Sequence, residues 1–67
     1  MNVQEFLRAI EIIGKYDPSI KIAPMYAEHD QLWVGSDESY EKMSDEDKKE
    51  MDDLIWFTDA DSWSCYT

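Results

Sequence analysis

His29 stands beside Asp30, and an imidazole next to a carboxylate can shuttle protons or hold a metal ion. Cys65 adds a thiol, and the runs Asp45-Glu46-Asp47 and Asp59-Ala60-Asp61 add carboxylates. The chemistry of each makes demands that the sequence does not meet. A catalytic zinc site usually draws on three protein ligands, but the chain has one histidine and one cysteine. Glu28-His29-Asp30-Gln31 reads instead as a turn, where an Asp side chain bonds its own backbone. An EF-hand loop alternates its acids, bends at a central glycine and closes on a glutamate. Asp45-Glu46-Asp47 lacks that glycine, and the loop from Asp59 puts Trp63 where a ligand belongs. Cys65 has no base or oxyanion loop close in sequence and reads as a packed thiol. There is no glycine-rich phosphate loop, Gly-x-Ser-x-Gly elbow or His-Glu-x-x-His pair. The expectation is a protein that is not an enzyme, with no catalytic residues, no metal ligands and no cofactor.

Two groups of side chains rise above this background as binding candidates. The first is acidic. Glu46, Glu50 and Asp53 are spaced to line one face of a helix, and Asp45, Asp52 and the loop acids Asp37, Glu38 and Glu41 extend it. Such a field has a bland reading, a solvated face that keeps a small protein soluble. It has a sharper one, carboxylates standing in for phosphates against the Lys and Arg of a nucleic-acid-binding protein. Lys42, Lys48 and Lys49 interrupt the field, and Lys49 can pair with Asp45 one turn earlier. The second group is aromatic. Three Trp and four Tyr are many for 67 residues, and these rings are enriched in binding hot spots. Trp56, Phe57 and Trp63 are expected in the core. Trp33, Tyr26, Tyr40 and Tyr66 are expected nearer the surface, with Trp33 and Tyr40 set to stack on arginine.

Length and composition bound what can position these groups. The 67 residues suffice for one domain, 1–67. A chain of about 60 residues buries only roughly 60% of its unfolded surface, so each large ring matters. The formal charge is −10; between Asp37 and Asp61 there are eleven acids and three lysines, net −8, against −2 for the first 36 residues. Direct binding to nucleic acid or to an anionic membrane is disfavoured, because both need basic surface. A basic protein partner is favoured. A single cysteine allows no internal disulfide, which fits a reducing cytoplasm. Glu5, Arg8 and Glu11 interrupt the apolar run that a secretion signal needs.

The expected elements follow from periodicity and punctuation. Residues 2–14 read as an amphipathic helix with Asn2 as N-cap, Glu5 completing a capping box, and Gly14 as the C-terminal stop. Its stripe is Val3, Phe6, Leu7, Ile10 and Ile13, which Ile12 fits poorly. Ile20, Ile22 and Pro24 alternate with Lys21 and Ala23 as a first strand, and Leu32-Trp33-Val34 as a second. Residues 36–43 read as a polar connection. Ser44 then caps a second helix with acids in its first turn. Met51, Leu54 and Ile55 form its narrow apolar edge, and Met43 is placed to pack just before the cap. Leu54 to Tyr66 reads as an aromatic hairpin around Thr58-Asp59-Ala60-Asp61-Ser62. The fold class is α+β: a small antiparallel sheet with two helices on one face, in the order α-β-β-α-β-β.

His29-Asp30-Gln31-Leu32-Trp33-Val34, Met43-Ser44-Asp45-Glu46-Asp47, Leu54-Ile55-Trp56-Phe57 and Ser62-Trp63 together resemble the small acidic α+β accessory proteins of phage and prophage genomes. The resemblance covers roughly residues 28–63. Those proteins often carry Gly where this chain has Ile55. The resemblance implies an accessory protein acting in a bacterial cytoplasm; some of that kind inhibit host defence systems, CRISPR complexes included, and some of those imitate DNA. It carries over no catalytic residue.

The functional expectation is therefore an acidic protein-binding module, an inhibitor or modulator of a basic nucleic-acid-binding host protein. Its partner-binding residues are Asp37, Glu38, Glu41, Asp45, Glu46, Glu50, Asp53, Trp33 and Tyr40. The alternative is a structural or assembly protein that binds through its aromatic surface as a homodimer.

Overall fold

The computed structural model describes residues 1–66. The elements are helix α1 (Val3–Tyr16), a 3₁₀ turn (Pro18–Lys21), strands β1 (Tyr26–Glu28) and β2 (Gln31–Val34), helices α2 (Glu38–Lys42) and α3 (Asp45–Asp53), and strands β3 (Phe57–Asp59) and β4 (Ser62–Tyr66). The four strands form one antiparallel sheet in the order β1-β2-β4-β3. The class is α+β, with three α-helices where the sequence suggested two.

Helix α1 begins as expected, with both halves of the Asn2–Glu5 capping box formed. It does not stop at Gly14 but runs to Tyr16, and the Asp17 N–H bonds the Ile13 carbonyl. Its inward face also differs from the expected stripe. Ala9, Ile12 and Ile13 are buried, with Phe6, Ile10 and Tyr16 packed beside them. Val3 and Leu7 are 74% and 59% exposed. The helix carries apolar residues on two faces, so spacing alone could not choose between them.

The first expected strand is not one. Pro18 fixes φ at the start of a helical turn, and Ile20, in that 3₁₀ turn, enters the core while Ile22 stays in solvent. The first strand begins after Pro24, at Tyr26. Gly35 then takes φ +65°, and a Cβ there would lie 3.4–3.6 Å from Asp17, Ile20 and Ile13. A side chain would fit at these distances, so it is the left-handed φ at the end of β2 that favours glycine. The connection 36–43 is partly helical: α2 places Ser39 under the sheet, where its hydroxyl accepts the indole N–H of Trp63 at 2.7 Å.

Helix α3 starts at Ser44, whose Oγ accepts the Asp47 N–H. It ends in a Schellman motif: the Ile55 N–H bonds the Asp52 carbonyl and the Trp56 N–H bonds the Met51 carbonyl. That motif needs a left-handed residue, and Ile55 occupies it at φ +64°. Ile55 is 71% exposed and adds nothing to the helix's apolar edge. The final hairpin turns on Ala60-Asp61, both at positive φ as a type I′ turn requires. Thr58, Asp59 and Ser62 belong to its strands rather than to the turn.

The core lies between the sheet and the helices. Leu32, Val34, Trp63 and Cys65 point into it, and Met43, Met51 and Trp56 close it from the α2–α3 side. Among the described residues, the buried side-chain atom without a hydrogen-bond partner is the indole nitrogen of Trp56.

Candidate functional site

The sheet's period of two puts one set of side chains on the face away from the helices. Tyr26, Trp33, Ser64 and Phe57 form one row across all four strands. Trp33 is thus not alone there. Tyr66 packs on Phe57 with ring centroids 5.4 Å apart. Phe57 is half-buried on this face rather than a core residue, while Tyr26 and Tyr66 are exposed. A polar network fixes the face. Asp59 Oδ2 accepts from the Trp33 indole and from Gln31 Nε2, each at 3.1 Å. Gln31 also donates to Ser64 Oγ, which donates to the Leu32 carbonyl. Trp33 therefore sits against a carboxylate, the surroundings that suit a guanidinium stacked on its ring.

The acidic residues lie around α2, α3 and the hairpin tip. The Asp37 N–H bonds the Asp61 carbonyl at 3.0 Å, which joins the acidic start of α2 to the β3–β4 turn. Glu38, Glu41, Asp45, Glu46 and Asp53 are exposed, and Asp37 is half-buried. Glu50 is already engaged: Arg8 Nε and Nη2 donate to its two oxygens at 2.5 and 2.9 Å. This pairing holds the Glu50 carboxyl below the usual range and its burial only partly opposes it. Lys49 lies 3.5 Å from Asp53, not on Asp45. Tyr40 is on the helix side, tilted against Trp63, with Lys48 Nζ 4.6 Å from its ring centroid. Its ring already carries a cation of its own chain.

Asp47, in the acidic first turn of α3, ties that helix to α1. Lys15 Nζ lies 2.8 Å from Asp47 Oδ2, and the Tyr16 hydroxyl donates to the same oxygen at 2.5 Å. The Tyr16 oxygen in turn accepts the Ser44 N–H. Lys15 first and Tyr16 second hold the Asp47 carboxyl below its ordinary value, and Asp47 raises the Lys15 ammonium. No sequence signal marks this cluster, because its members are about thirty residues apart.

The expected site residues therefore fall into three places. Asp37, Glu38, Glu41 and Tyr40 lie at α2, and Asp45, Glu46 and Asp53 on α3, all exposed except the half-buried Asp37. Trp33 lies on the opposite sheet face, bonded to Asp59. Glu50 faces α1. Sequence reasoning missed Asp59 as a partner of Trp33, because the strand order that brings β3 and β2 onto either side of β4 is not legible locally.

The charges also partition. Residues 1–25 carry three acids and three bases, whereas residues 26–66 carry thirteen acids and three lysines. All six basic side chains lie on the helices or the 3₁₀ turn, and neither β-hairpin has one.

His29 and Asp30 form the β1–β2 turn, with His29 at φ +55° and exposed. Cys65 is fully buried, and burial pushes its thiol up, which suppresses the reactive thiolate. Among the described residues no group of three or more His, Cys, Asp or Glu side chains is placed to hold a metal ion. None of their helices is long and apolar enough to cross a membrane. Comparison with protein-family models gives no match, and neither does comparison with curated proteins or with solved structures.

Proposed function

We propose that this protein is a non-enzymatic binding module that engages a basic protein through its acidic side, as an inhibitor or modulator of a nucleic-acid-handling partner. The observation that carries the reading is the charge partition: the entire net charge falls on residues 26–66. The acids of α2, the start of α3 and the hairpin tip are mostly exposed, and the Asp37 N–H bonded to the Asp61 carbonyl ties the start of α2 to the tip. Carboxylates so arrayed release counterions from a basic groove as phosphates do. Trp33 beside Asp59 extends the same chemistry onto the open sheet face, where an arginine can stack.

The test is a pull-down of basic nucleic-acid-binding proteins, followed by competition with duplex DNA. Displacement of the captured protein by DNA, and its loss on substituting Glu38, Glu41, Asp45 and Glu46 together by Lys, is the expected result. Glu50 is left intact, since its reversal would set a cation against Arg8 and disturb the fold. Undiminished capture by the folded variant would refute this surface. A second reading, assembly through aromatic contacts, is favoured by the uncovered row of Tyr26, Trp33 and Phe57. It predicts binding that Trp33→Ala removes and that salt leaves unchanged.

A further inference from the structure

Helix α1 has a second apolar row that the core uses only in part, through Ile10. Val3, Leu7, Ile10 and Gly14 follow one another at spacings of four, three and four. This is the alternation of a coiled-coil seam. Val3 and Leu7 are exposed and Ile10 is half-buried. The inward face is centred on Ala9, Ile12, Ile13 and Tyr16, with Phe6 and Ile10 packed at its edge. From the geometry we infer that this outer seam packs against the same seam of a second copy of the chain, in antiparallel orientation.

Two observations select that occupant. The first is charge. Two copies carrying −10 each repel wherever their acidic surfaces meet, and the seam belongs to residues 1–25, whose formal charges cancel. It is an apolar surface on which a second copy can land away from the strongly acidic stretch. The second is symmetry. A two-fold contact must be complementary to itself, and the 4-3-4 spacing reads the same in both directions. An axis between Leu7 and Ile10 sets Leu7 against Ile10 of the other copy and Val3 against Gly14. The larger side chain at one end thereby meets the glycine at the other. Antiparallel helices also oppose their dipoles favourably. The interface leaves the acidic side and the open sheet face free, so each dimer would present two copies of the proposed binding surface.

Sedimentation equilibrium of the full chain tests the inference. The expected result is a mass twice the 7.9 kDa of one chain. Association should tighten as salt rises, because screening weakens the repulsion between copies. Leu7→Glu should return the protein to a monomer with its circular dichroism unchanged, since Leu7 is outside the core. Trp33→Ala should leave the dimer intact. Orientation is read by oxidation. Val3→Cys with Gly14→Cys should give a covalent dimer, whereas Val3→Cys alone should not. A side chain at position 14 is tolerated, since its Cβ would lie 3.7 Å from Ile20. The two positions are eleven residues apart on one helix, roughly 16 Å at 1.5 Å per residue, too far for an internal disulfide. A wild-type monomer at millimolar concentration would overturn the inference, as would a dimer that survives Leu7→Glu. A dimer lost in Trp33→Ala would move the contact to the open sheet face. A covalent dimer from Val3→Cys alone would overturn the antiparallel arrangement.

Discussion

Helix α1 offers the core more apolar surface than it can take, while α3 offers little beyond Met51 and, at its C-terminal cap, Leu54. The two are held together by polar bridges at both ends of their contact, Arg8 to Glu50 and Lys15 with Tyr16 to Asp47. The difference shows how a chain with 16 acids and 43% apolar residues divides its labour. Helix α1 supplies burial and a spare apolar seam. Helix α3 stays solvated, is docked by charge and caps, and leaves Asp45, Glu46, Asp52 and Asp53 exposed. Strong apolar packing of α3 would have taken that surface out of solution.

Breaking the α1 side should have the largest effect. Ile13→Ala removes a fully buried side chain and should cost roughly 2–5 kcal/mol, enough to unfold a domain this small in a urea titration. If it costs less than 1 kcal/mol, α1 is not the element that organises the core. Asp47→Asn should be milder and should depend on pH. The folded-state carboxyl lies below its unfolded value of about 4, so its contribution is present above that value and is lost as pH falls through the lower one. The Tm difference between wild type and variant should be full at pH 7 and vanish in stronger acid. Lys15, raised by the same contact, contributes below its own unfolded value near 10.4 and plays no part in that acid range. A pH-independent difference would mean that the cluster acts through packing alone.

Two smaller effects sharpen the comparison. Ile55 is a β-branched residue in a left-handed site, which costs an L-residue about 1–2 kcal/mol. Ile55→Gly should stabilise the α3 end by about 1 kcal/mol and raise Tm by roughly 4–8 °C. A lower Tm would show that the exposed side chain makes a contact that offsets its backbone strain. Last, Leu7→Ala should change monomer stability by less than about 0.5 kcal/mol, as at most surface positions. A cost near that of Ile13→Ala would place the true core on the outer seam.

The parts of the fold that were legible are those whose signals are local. The Asn2–Glu5 box, the Ser44 cap, the strand Leu32-Trp33-Val34 and the aromatic hairpin are each written within a few residues, and each formed. The strand expected at Ile20–Pro24 failed because Pro18 makes a helical turn as readily as a corner, and alternation over five residues cannot tell the two apart. The acidic side was legible as composition. Glu50's commitment to Arg8 was not, since a carboxylate's partner 42 residues away leaves no trace in its neighbours.

What the sequence determined by itself was the class, the two helix N-caps at Asn2 and Ser44, the approximate place of the two hairpin turns and the concentration of charge, because propensity, hydrogen-bonding side chains and net charge act over short stretches or none at all. Which face of α1 turned inward, which strand lay between β2 and β3, and which acids remained exposed were decided only by the tertiary structure. Those choices depend on packing and ion pairing between segments far apart in the chain, where the stabilising contact exists only after both sides have been brought together.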